Sequence, residues 1–233
     1  MFLEDAGLKK EVMVIENCPR KLLEIPRYAP QMQKLKESGF QIVLHRGPIN
    51  KIGVDIEEVI ASIKFWTKNT ILVLVGVHKG EQEKVCREIA NRENMSDRVL
   101  IVTYVPTQKE LFEYIAAADV GLILYKIIRA SNEYMGPTKL YDYMACGIPV
   151  VVPEKMKFVS DIVKDLGIGL SYKDSTSEAL GKTIKELLDR SDRIEMSKRA
   201  RQAHLSNLNY ETQFAPLYEK IKNAIEQDTK KLL

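Results

Sequence analysis

Cysteine and histidine are scarce in this chain of 233 residues: Cys18, Cys86 and Cys146 are odd in number and far apart, and His45, His78 and His204 are equally scattered. That pattern excludes a disulfide framework, and neither set has the spacing of a structural zinc site, so no metal is expected. An excess of one charge is also missing. The 35 basic and 32 acidic side chains leave a net +3, with no like-charged tail, which argues against a nucleic-acid partner. No apolar run approaches the roughly 18 to 20 residues of a membrane helix, and the opening "MFLEDAGLKKE" is too acidic for a signal peptide. No membrane contact is expected, and a cytoplasmic location is. No G-x-G-x-x-G follows any strand-like run, which disfavours a dehydrogenase. Internal repeats and low-complexity linkers are missing as well.

What is present is a rhythm. From residue 40, short apolar runs recur: "FQIVLH" (40–45), "ILVLVGV" (71–77), "VLIVTYV" (99–105), "VGLILY" (120–125), "PVVVP" (149–153) and "GIGLSY" (167–172). They are continuous rather than alternating, as in strands covered on both faces of a parallel sheet. Amphipathic segments separate them. Ile56, Val59, Ile60, Ile63 and Trp66 share one helical face, and Leu111, Tyr114, Ile115 and Ala118 share another. Thr107 with Glu110 and Ser175 with Glu178 read as capping boxes, the second ahead of Leu180, Ile184 and Leu187. The pattern predicts a doubly wound, Rossmann-like α/β domain of about six parallel strands over residues 40–190. Residues 1–39 read as an interdomain segment holding a strand-like run, "VMVIENCPR", and a charged helix. Residues 191–233 read as closing helices: a polar one, then an apolar stripe of Phe214, Leu217, Tyr218, Ile221 and Ile225 that Pro216 kinks or delays.

The stretch "NEYMGPTKLYDYMACGIPVVVP" (132–153) sets polar groups at the mouth of an apolar helix-to-strand unit. In open α/β sheets, ligands bind beyond the carboxyl ends of the strands. Pro137 suits the first turn of a helix running to Gly147, so that Thr138, Lys139 and Leu140 offer backbone N–H groups to an anion. Lys139 is electrostatically misplaced at a helix start unless an anion binds there, and Asp142 lies one turn on, where sugar hydroxyls could reach it. Equally open are plainer readings, a surface lysine and a helix-stabilising aspartate. His45 at a strand end reads as structural, and Gly76 serves either a turn or the close approach of a ligand.

These residues carry a resemblance. "GPTKLYDYMACGIPVVVP", with "LHRGPINKIGVDIEEVIASI" and "RVLIVTYVPTQKELFEYIAAADVGLILY" upstream, resembles the carboxyl-terminal, donor-binding half of GT-B-type glycosyltransferases of the retaining class; "NYETQFAPLYEKI" resembles their closing helix. The likeness spans about residues 11–225. It implies a nucleoside-diphosphate sugar as substrate and no cofactor. The diphosphate would lie on Gly136, Pro137, Thr138, Lys139 and Leu140, with Arg46, Gly47 and Lys51 from the first loop. The ribose would lie at Asp142, the base near Tyr104, Val105 and Pro106, and Glu133 near the sugar as the catalytic candidate. It further implies an acceptor-binding amino-terminal domain or subunit, without which this half is inactive alone. The sequence departs from the family in three places. Relatives usually carry glutamate where Asp142 stands, their paired glutamates lie eight apart against nine for Glu133 and Asp142, and their loop places arginine and lysine after the glycine where Pro48 follows Gly47. A non-catalytic interaction module that kept this packing, or a nucleotide-sugar epimerase, shares the architecture.

Overall fold

The structure, a computed structural model, describes residues 13–49, 53–126 and 130–231, with side chains through residue 227. Lys51 lies outside the described residues. The six apolar runs form six strands: β1 (Gln41–Arg46), β2 (Thr70–Val75), β3 (Val99–Val102), β4 (Val120–Leu122), β5 (Val150–Pro153) and β6 (Gly169–Tyr172). All pair in parallel, in the order β3-β2-β1-β4-β5-β6. Every residue of β2 is buried, as continuous apolar character requires when helices cover both faces.

Those helices are α1 (Pro30–Glu37), α2 (Ile56–Ser62), α3 (Glu81–Arg92), α4 (Gln108–Ile115), α5 (Thr138–Ala145), α6 (Lys157–Leu166), α7 (Ser177–Asp189), α8 (Arg193–Ser206) and α9 (Tyr210–Lys231). One core joins Ile42 and Leu44 of β1 to Met32, Ile115, Tyr143 and Val159, from α1, α4, α5 and α6. The other joins Val43 to Ile60, Cys86 and Ile184, from α2, α3 and α7. The two sides of β1 thus feed different layers, the consequence of a strand's two-residue period. All three cysteines are free and buried, and burial pushes the Cys18 thiol up to about 12 and that of Cys86 to about 11.

The chain steps outward from β1 to β2 and β3, then returns to lay β4 on the other side of β1. Past β1 it enters α2 on one face; past β4 it enters α5 on the opposite face. The crevice between those two connections is the topological switch point. Strands β1 and β4 pair only at Val43–Val120 and Leu44–Gly121. Beyond, the Tyr143 hydroxyl lies 2.9 Å from Leu44 O and 3.3 Å from Leu122 O, sharing its proton between them. Gly121 makes this possible, because a Cβ there would stand 2.7 Å from the Tyr143 ring. At the other end Asp119 accepts the Ile42 N–H and the Lys36 ammonium, each at 2.8 Å.

Four expectations need correction. The strand-like run at 12–20 makes no strand over its described residues 13–20. Instead the segment is tied to the closing helices: Leu22 N–H donates to His204 Nε2 at 2.9 Å and Tyr210 N–H to Pro19 O at 2.9 Å. The α7 cap is Thr176, accepting Ala179 N–H at 3.2 Å, not Ser175, while Glu178 pairs with Lys182. Pro216 does not delay α9, which starts at Tyr210 and runs through it; the ring is exposed, and the one backbone bond it forfeits is to the preceding turn. Pro137 stands just before α5 with extended backbone (φ −73°, ψ 137°) rather than inside the first turn.

Candidate functional site

The carboxyl rim of the sheet gathers the candidates. At the end of β1 the chain turns through Gly47 (φ +100°), whose N–H donates to Val75 O at 2.7 Å. The turn after β2 passes Gly76 (φ +79°), where a Cβ would lie 3.5 Å from the Gly47 nitrogen. The close approach that Gly76 permits is therefore to the neighbouring loop. A Cβ on Gly47 would meet Lys139 Cε at 3.4 Å, so the bare glycine leaves room for the lysine arm.

Helix α5 presents Thr138 and Lys139 as its first two residues, and their N–H groups have no hydrogen-bond partner among the described residues. Leu140, expected to offer a third, donates instead to Pro137 O at 3.1 Å, closing the first turn on itself, and its side chain is core. Lys139 is only 5% exposed and has no carboxylate within ion-pair distance among the described residues. Its Nζ lies over the Tyr125 ring, 4.6 Å from the centroid, a cation–π contact made with the chain leaving β4. Burial, helped by the Arg46 charge, lowers the Lys139 ammonium to about 7.

Arg46, the last residue of β1, reaches across the crevice. Its Nη2 donates to Thr138 Oγ1 at 2.6 Å and forms a short ion pair with Asp142 Oδ2, while its Nε is buried without a partner. Asp142 is 5% exposed; burial raises its carboxyl to about 6 against the opposing pull of Arg46. His45 is fully buried. Neither ring nitrogen makes a well-formed hydrogen bond, and burial, Lys139 and Arg46 hold it well below its ordinary value, with only the Leu122 carbonyl favouring its protonated form.

Arg46, Gly47, Thr138, Lys139 and Asp142 thus converge on the switch point. The rest lie around it. Gly136 is tucked beside Phe158 and Glu16, 3.1 and 3.4 Å from where its Cβ would be. Glu133 sits in a 3₁₀ turn (Ala130–Tyr134) and pairs with Lys157 of α6 at 2.8 Å. Tyr104, 77% exposed, Val105 and Pro106 leave the end of β3. Sequence reasoning missed Tyr125 and Tyr143: one stands fourteen positions before the lysine it faces, the other looks like any core aromatic. Chemically the cluster is an anion cradle, with two cations, two free amides at the positive end of a helix dipole, and one carboxylate neutralising one cation.

The sequence matches the model of the family "Glycosyl transferases group 1" over residues 31–204. The chain belongs to this family. No curated protein is significantly similar in sequence. Among solved structures, this group 1 family chain superposes on Anabaena HepE in complex with UDP at a TM-score of 0.73 and 17% identity, over 95% of this chain and 60% of that one. WaaG, a glycosyltransferase involved in lipopolysaccharide biosynthesis, gives 0.62 and 15% over 85% and 54%. The C-terminal domain of LpcC, a group 1 family glycosyl transferase from Francisella tularensis, gives 0.57 and 16% over 76% and 93%. At these identities the likeness is one of fold. The chain spans little more than half of HepE and WaaG.

Proposed function

We propose that this chain is the nucleotide-sugar-binding half of a retaining glycosyltransferase, taking a nucleoside-diphosphate sugar as donor. One observation carries the reading: at the switch point Arg46, Lys139 and the free amides of Thr138 and Lys139 face one crevice, and their positive charge exceeds the single carboxylate present. A departing nucleoside diphosphate develops negative charge, and fixed N–H groups and cations aimed at it lower the barrier. In this reading no metal is needed. Asp142 takes the ribose hydroxyls, Tyr104–Pro106 the base edge, and Glu133 faces the sugar; Lys51 joins Arg46 at the diphosphate. The acceptor would be held by an amino-terminal domain or subunit, toward which α9 packs, so this half binds donor and does not turn it over. Titration of the chain with UDP, GDP and ADP by calorimetry or ligand-observed NMR tests this. Saturable binding of at least one at millimolar concentration is expected, and none for all three rejects the reading.

A further inference from the structure

Arg46 is the cradle's most capable phosphate ligand, since its planar fork matches phosphate oxygens, yet it is already engaged. Its Nη2 holds both Thr138 Oγ1 and Asp142 Oδ2 across the gap where β1 and β4 part. An anion that draws Nη2 of Arg46 away from Asp142 strips the cation from a carboxylate that is 5% exposed. Lys139, three residues earlier on the same helix, is held over Tyr125 and toward Gly47 and does not pair with it. A buried carboxylate left alone is costly.

We propose that the Arg46–Asp142 pair determines specificity: it disfavours bare phosphates and is parted without loss only by a ligand carrying both a diphosphate and a vicinal diol. The phosphate oxygens then take the guanidinium while the diol's two hydroxyls donate to the freed carboxylate. The inference rests on the donor-binding reading above and adds to it that the two half-ligands are energetically coupled through one ion pair.

Coupling is reciprocal, so it can be read in the wild-type chain with fragments. Inorganic phosphate, small enough to share the crevice with uridine, is titrated with and without saturating uridine; the guanosine or adenosine pair replaces it if that base is the one bound. Its Kd should fall at least about fivefold when the nucleoside is present. In Asp142→Asn, inorganic pyrophosphate should bind at least about fivefold more tightly than in wild type, nucleoside coupling should vanish, and adding Arg46→Ala should erase the gain. Phosphate affinity indifferent to nucleoside, or pyrophosphate affinity unchanged or weaker in Asp142→Asn, overturns the inference even if UDP binds normally. Should Asp142→Asn fail to fold, the wild-type fragment titration decides alone. Failure of every nucleoside diphosphate to bind would sink the donor reading and this one together.

Discussion

Lys139 is a side chain that the fold tolerates rather than needs. Its ammonium is buried at a helix start, beside Arg46, with an aromatic face as its nearest compensation. Replacing it with methionine keeps the arm and removes the charge. Lys139→Met should raise stability by up to about 2 kcal/mol near pH 6, measured by urea unfolding. The sign follows from linkage: a lysine whose folded value is lowered to about 7 destabilises the native state most below that pH, and the penalty fades as pH rises toward 10.5. The same variant should weaken nucleoside-diphosphate binding by about 1.5–3 kcal/mol, the worth of a hydrogen bond to a charged group. A diphosphate beside Lys139 favours its protonated form, so binding between about pH 7 and pH 9 should draw a proton from solution. Calorimetry in buffers of different ionisation enthalpy reads that uptake, and Lys139→Met should abolish it. Part of this was legible beforehand: Gly136–Pro137 marked a helix start, and Lys139 stood out as a cation in its first turn. The destination of Arg46 was not, because it depends on β1 and β4 becoming neighbours, and Thr138 stands 92 positions further along the chain.

At the scale of elements, the crevice exists because a phenol is wedged where a ladder would otherwise continue. Tyr143 comes from α5, passes over Gly121, and its hydroxyl serves carbonyls of both β1 and β4. Tyr143→Phe should leave two buried carbonyl oxygens without that donor and cost about 1–3 kcal/mol in urea unfolding, with the strands retained by circular dichroism. The existence of six parallel strands followed from six continuous apolar runs, and the Thr107 cap from its spacing to Glu110, whose N–H it accepts at 3.2 Å. At Ser175 and Thr176 the spacing rule points one residue too early: only Ser175 has a glutamate three positions on, but the backbone enters the helix at Thr176, whose hydroxyl caps Ala179 N–H. The strand-like run near residue 14 failed for a different reason. Apolar composition marks a strand only if a sheet edge is free beside it, and the segment runs along helices instead.

Across the whole molecule, residues 16–22 are fastened to residues 204–213 rather than to the sheet. His204 does this through two different ring atoms: Nε2 accepts from Leu22 N–H, and Nδ1 donates to Leu208 O at 3.0 Å. Burial foremost, with the charges of Arg201 and Lys21, holds the ring below its ordinary value, while the Leu208 carbonyl and Glu211 oppose them. A histidine lowered on folding contributes stability above about pH 6.5 that drains away as the solution is acidified, because the unfolded chain takes the proton first. Protonation would place a hydrogen where Leu22 now donates. Amide exchange of residues 13–23 should therefore accelerate, relative to the strands, between pH 7.5 and pH 5, after correction for intrinsic rates; His204→Asn should show no such acid-dependent change. The stretch that loosens first in mild acid also carries Glu16, which lies beside Gly136 and accepts from the Tyr141 hydroxyl of α5, so acid would unsettle the entrance to that helix before it reaches the strands.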